Sequence, residues 1–378
     1  MAFNGERLKQ AREIAGLTQK ELADAANLEQ SYISLVEQNA RKPSDSVIET
    51  LALAVGFPVT FFDLPSGPDY PLGSILFRRL SSLPSADVAR VRQSARMVME
   101  IFLNLQKRFR HLQVALPRAG DASPSQAAHF ARSALGYAPD GPVRALMSRL
   151  EKSGILIFRL PAAPVGFDAF SAWTSEKEAR PVIALGKSLA GERDRATLAH
   201  ELGHLVMHWS FLGDLKIVER EALEFMGEFL LPEDDMQQEF AGDDPITLTR
   251  LAELKGKWGV SIQIILFRLE QLEIIAPQKK SYWRGRLDKL GWLDNEPVPI
   301  PSDNPVLLRQ MLEKAYGAPV DTRAFAREMG IPSRFCTDLL QANGREAFTV
   351  GTPERVDTER TDLDKEAVPQ GTVLMFRK

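Results

Sequence analysis

A chain of 378 residues, 44% apolar and 26% charged, has the composition of an ordinary soluble globular protein and the length for two or three domains. Its one cysteine, Cys336, excludes an intrachain disulfide and a thiolate metal cluster, and the net charge of −3 defines no partner by itself. No apolar run reaches the roughly 18 residues of a membrane span and no signal-like core opens the chain, so a cytoplasmic protein with no membrane partner is expected.

Residues 1–64 predict a bundle of short helices. Leu8, Ala11, Ile14 and Ala15 follow helical spacing up to Gly16. Thr18, with Glu21 in capping-box register, opens a second helix over Gln19 to Ala26. Asn27 is a turn residue before a third helix, Glu29 to Glu37, and Pro43-Ser44 opens a fourth that closes near Gly56. Two short helices about a tight turn are the parts of a helix-turn-helix.

The runs Leu17-Thr18-Gln19-Lys20-Glu21-Leu22-Ala23, Ser31-Tyr32-Ile33-Ser34-Leu35-Val36-Glu37 and Arg41-Lys42-Pro43 resemble the lambda-repressor-like (Xre) family. That resemblance implies double-stranded DNA as partner, with the third helix in the major groove presenting Gln30, Ser31 and Ser34, and Tyr32 alongside. Gln19, Asn39, Arg41 and Lys42 would contact phosphates. Asn39 stands where the family usually has Gly; Asn tolerates left-handed backbone. Residues 1–63 carry six basic and nine acidic side chains, which weakens phosphate attraction and keeps open a protein-docking role for the module.

Pro65 to Pro71 reads as a linker within a second segment, residues 65–123. Residues 75–118 hold nine Arg or Lys against Asp87 and Glu100. Val88, Val91, Ala95, Val98, Phe102, Leu105, Phe109 and Leu112 form a heptad seam for a partner helix. The seam is either docked on the chain's own domain or, as is slightly favoured, forms a homodimer through residues 88–112.

A third domain is expected over residues 124–280. Val143 to Lys152 predicts a helix, and Ile155 to Phe158, Phe170 to Trp173 and Val182 to Leu185 predict three strands of an antiparallel sheet with a helix across one face. Either of the last two strands could be an edge that accepts an extended peptide.

His200-Glu201-Leu202-Gly203-His204 then spells a metal site on one helix. Residues i and i+4 share a helical face, so both imidazoles can reach one zinc ion, while Glu201 is placed as general base. His208 lies eight residues past His200, a rise of about 12 Å, and is expected to be structural. The third ligand is sought on a helix that Asp214 can cap and Pro232 stops. There Glu219 shares a stripe with Ala222, Leu223, Met226 and Leu230, where a charge is unexpected unless it is paired or ligating; Glu221 is the competitor.

These residues, from Thr197 to His208 and then Glu219, Ala222, Phe225 and Leu230-Leu231-Pro232, resemble the ImmA/IrrE family of metallopeptidases over about residues 130–275. The resemblance implies cleavage of repressor proteins and relief of repression. The chain departs from that family at Leu223, commonly Asn, and Met226, commonly Ala, both taken as packing positions.

Residues 281–378 form an accessory or sensor region with helices over Val306 to Ala315 and Arg323 to Met329, a charged stretch Pro353 to Ala367 and a strand Val373 to Phe376; Cys336 is expected in a core. The expected architecture is therefore multidomain: an all-α helix-turn-helix bundle, a long helix, an α+β metallopeptidase domain and a small mostly α C-terminal region. The leading reading is a DNA-binding regulator whose zinc peptidase cuts a repressor-type protein. The alternative is a non-enzymatic, antitoxin-like factor whose metallopeptidase fold senses a metal, ligand or partner.

Overall fold

The computed structural model describes residues 3–67, 83–109, 113–174, 180–187, 190–209, 214–242 and 245–344. The charged stretch Pro353 to Ala367 and the strand Val373 to Phe376 lie outside them, as do Leu112 and part of the linker Pro65 to Pro71.

Four helices open the chain: α1 (Gly5–Ala15), α2 (Gln19–Ala26), α3 (Gln30–Glu37) and α4 (Asp45–Val55), followed by a 3-10 turn at Val59–Asp63. Their ends are set locally. Gly16 closes α1 at φ 73°, the Thr18–Glu21 capping box opens α2, and Asn27 closes it at φ 51°. Leu8, Ala11, Leu22, Ile33, Val36, Leu51 and Phe61 fill the centre. A buried charge survives there because it is fully partnered: Arg12 donates to both Glu37 oxygens at 2.5 and 3.0 Å, and the Gln19 amide donates to the same carboxylate at 2.8 Å.

The long helix α5 (Ser85–Gln106) is followed by α6 (Pro124–Ala134) and α7 (Leu146–Lys152), then β1 (Leu156–Arg159), β2 (Ala169–Trp173) and β3 (Pro181–Leu185). Helices α8 (Gly191–Met207), α9 (Leu215–Leu230), α10 (Glu233–Glu239), α11 (Leu248–Trp258), α12 (Ile262–Gln271) and α13 (Pro277–Lys289) complete the α+β region. The C-terminal helices are α14 (Leu307–Tyr316), α15 (Thr322–Met329) and α16 (Ser333–Ala342).

The sheet corrects the antiparallel expectation. Its order is β1-β3-β2, with β1 parallel and β2 antiparallel to β3. The physical reason is legible in β3, whose Pro-Val-Ile-Ala-Leu run is buried on both faces and so takes the centre, leaving β2 at an edge. One face presents Ile157, Ala169, Trp173, Ile183 and Leu185 to the core that includes α8. The other presents Leu156, Phe158, Phe170, Val182 and Ala184 to a second core shared with the first four helices, α5 and the C-terminal helices. Three strands thus separate two cores, with no side chain to spare for solvent on β3.

The seam on α5 is also corrected. Val91, Ala95, Val98, Phe102 and Leu105 are buried against the chain's own helices, α1 and α14 among them. Polar clamps reinforce the docking: Arg7 Nη1 donates to Glu100 Oε2 at 2.6 Å, Gln93 to Glu13 at 2.8 Å, and Arg96 to the Gly67 carbonyl at 2.5 Å. A heptad pattern records an apolar stripe but not which helix covers it, and here the cover is intramolecular; the stripe is not an exposed dimer surface.

The C-terminal helices dock through Glu151 on α7, whose carboxylate accepts the Val306 and Leu307 N–H groups at 3.0 and 2.8 Å at the start of α14. Cys336 is fully buried in that core, and burial pushes its thiol up to about 12, so it stays an inert thiol. Among the described residues no helix is long and apolar enough to cross a membrane.

Candidate metal centre and nucleic-acid interface

Helices α8 and α9 cross closely because residue 203 is glycine: a Cβ there would stand 2.9 Å from the Phe225 ring. That approach carries Glu219 to the histidine face of α8. His200 Nε2 and His204 Nε2 lie 3.0 Å apart, and Glu219 Oε2 and Oε1 lie 3.3 and 3.5 Å from them respectively. One donor atom from each residue falls within 4.8 Å of the others. Ligands held about 2.0–2.1 Å from a tetrahedral zinc ion stand ~3.3–3.4 Å from one another, so these separations fit one ion without large movement. Both histidines are buried and Glu219 is half-buried. Glu221 points elsewhere, to His208.

Glu201 is only 1% exposed, and its orientation is set by a residue the sequence did not single out. Ser171 on β2 has its hydroxyl 2.7 Å from Glu201 Oε2 and 3.1 Å from the Glu201 carbonyl. Two residues on, Trp173 donates its indole N–H to the Leu205 carbonyl at 3.0 Å. Alternate residues of a strand face the same side, as do i and i+4 of a helix, so β2 is stitched to α8 along matching periods. The only local signal for Ser171 was a serine inside an apolar strand.

His208 lies outside the group formed by His200, His204 and Glu219, yet it is not idle. Its Nδ1 lies 3.1 Å from His204 Nδ1 and its Nε2 lies 3.0 Å from Glu221 Oε2. Burial pushes the His208 imidazole below its ordinary value, against the hydrogen bond to Glu221. The adjoining end of α8 is pinned by Arg118, whose guanidinium stacks on Trp173 at 4.5 Å and Trp209 at 4.7 Å. Leu223 corrects the expectation of a packing position, since it is 38% exposed, whereas Met226 is buried.

On the helix-turn-helix, Gln30 and Ser31 are exposed at the start of α3, with Ser34 and Tyr32 half-buried. Arg41 stacks on the Tyr32 ring at 4.5 Å, and Arg41 and Lys42 are exposed. Asn39 adopts φ 58°, the left-handed geometry that its family's glycine would supply. Two of the expected phosphate contacts are engaged in the domain's own framework. The Asn39 side-chain oxygen accepts the Gly5 N–H at 2.7 Å, and the Gln19 amide serves Glu37. Arg7 and Arg12 are buried in ion pairs with Glu100 and Glu37, so neither offers its charge to a phosphate.

The described residues thus hold a helix-turn-helix followed by a cluster of two His and a Glu with a buried Glu beside it, and two segments of the chain match family models. Residues 8–62 match the helix-turn-helix family model, and residues 150–270 match the M78 peptidase model described as the IrrE N-terminal-like domain. The chain carries a helix-turn-helix DNA-binding domain and an IrrE-like peptidase domain. It is also 41% identical over 56 residues to the immunity repressor protein of Bacillus phage phi105, a match covering 15% of this chain and 39% of that protein.

Proposed function

We propose that this protein is a DNA-binding regulator whose IrrE-like domain is a zinc-dependent peptidase, acting by cleavage of a repressor-type protein. The observation that carries the proposal is the convergence of His200, His204 and Glu219 with Glu201 beside them, held by Ser171. His200, His204 and Glu219 would hold the ion. When bound, zinc supplies Lewis acidity to a peptide carbonyl and makes water a stronger acid. Glu201 takes a proton from the attacking water and returns it to the departing amine as the C–N bond breaks. Ser171 holds the carboxylate in place for both transfers. β2 pairs with β3 along one edge only among the described strands, so its other edge can accept an extended substrate segment as a further strand. In this reading residues 1–64 bind DNA, 65–123 connect, 124–280 cut, and 281–378 are accessory.

The purified chain is expected to hold one zinc ion, lost in His204→Ala and kept in Glu201→Gln. A chain without stoichiometric metal, or one whose metal content His204→Ala leaves unchanged, removes the metal reading. A second reading, in which the fold senses a metal, ligand or partner without cutting, draws support from β2. Phe170 packs in the core shared with the helix-turn-helix, while its neighbour Ser171 holds Glu201. Under that reading Glu201→Gln leaves regulation intact.

A further inference from the structure

The metal helix carries a third histidine that the chemistry above leaves unused. His208 is 6% exposed, and its ring sits one turn beyond His204 with centroids 5.2 Å apart. A buried imidazole with two polar neighbours can be mere packing, so the direction of its hydrogen bonds decides what it does.

That direction follows from one requirement. His204 turns Nε2 toward His200 and Glu219, so as a ligand it offers the Nε2 lone pair and must carry its proton on Nδ1. The Nδ1–H points at His208 Nδ1, 3.1 Å away, which must accept. His208 then carries its own proton on Nε2, and that N–H donates to Glu221 Oε2 at 3.0 Å. Every proton in the chain from Glu221 to His204 thereby has one position, and each donor meets an acceptor.

We infer that His208 and Glu221 are positioning residues for the metal: Glu221 orients His208, and His208 fixes the ring and the tautomer of His204 and makes its Nε2 a better donor. Outer partners of this kind hold a ligating histidine in register and sharpen its basicity. The inference also accounts for why Glu221, two residues from Glu219 on the same helix, is not the third ligand: its carboxylate is committed to His208. It rests on the reading of His200, His204 and Glu219 as metal ligands, and the test separates the two.

The experiment measures zinc affinity of metal-stripped full-length protein by competition with a chromophoric chelator, together with the visible absorption of the cobalt-substituted form. Glu221→Ala and His208→Phe should each weaken zinc roughly 10- to 100-fold and alter the cobalt spectrum. Glu221→Gln, which keeps an acceptor oxygen, should recover most of the loss. Glu221 sits at the rim with its side chain 30% exposed, so Glu221→Ala carries the test should His208→Phe fail to fold. If the variants lower only the melting temperature of the metal-free protein and leave zinc affinity within about twofold of the parent, the contacts are helix packing and the inference falls. If the parent itself binds no zinc, the metal reading falls first.

Discussion

Glu151→Gln probes the attachment of the C-terminal helices. Glu151 is 5% exposed and accepts two backbone N–H groups at the start of α14. Burial outweighs those bonds and pushes its carboxyl up to about 7, from an ordinary 4.5. Because the folded-state value stands above the unfolded one, the folded chain binds this proton more tightly. The stabilisation is complete below pH 4.5 and is lost as pH rises through about 7. A displacement of that size corresponds to at most about 3 kcal/mol. Gln keeps an acceptor oxygen but does not titrate. Urea unfolding of the metal-free protein at about pH 5 and about pH 8 should therefore show the parent losing ~1–3 kcal/mol more than Glu151→Gln across that interval. Taking the difference between the two chains cancels every other titrating group. Parallel curves for parent and variant would show that Glu151 ionises normally and that its burial does not govern the attachment.

Ser171→Ala removes a hydrogen bond to an ionised carboxylate, an interaction of about 1.5–3 kcal/mol, so kcat/KM should fall about 10- to 100-fold with zinc content unchanged; unchanged turnover would mean that Glu201 needs no such support. Changing Gln30 and Ser31 to Ala should lower affinity for a selected duplex while leaving its salt dependence steep, whereas Arg41→Ala or Lys42→Ala should flatten that dependence. Random duplex DNA from which the protein enriches nothing would leave the helix-turn-helix with a protein-docking role.

The parts legible in the sequence are those whose signals are local. Thr18 with Glu21, Gly16 and Asn27 mark helix ends through contacts within a few residues, and each is found where expected. His200 and His204 are four residues apart on one helix, and Glu219 stands at helical spacing from Ala222 and Met226, patterns that need only helical periodicity to read. Tertiary facts were not legible. Nothing near Ser171 says that it will meet Glu201, 30 positions away. The order β1-β3-β2 depends on a strand inserted between two earlier ones, and only the two-sided apolar character of β3 hinted at it. The stripe on α5 is a buried seam, yet a periodic pattern cannot tell its own chain from a second copy. His208 stands too far from His200 to share its ion, and the structural role expected of it is a contact with His204 one turn along, at the same i, i+4 spacing that marks the metal site.

Cleavage itself is best tested in cells that produce either the parent chain or Glu201→Gln, by profiling the N-termini of the whole protein complement. The proposal predicts new N-termini within a repressor-type protein with the parent alone, while the variant keeps its metal and yields none. Identical profiles from the two chains, with zinc bound in both, would contradict the peptidase assignment and leave the fold as a sensor.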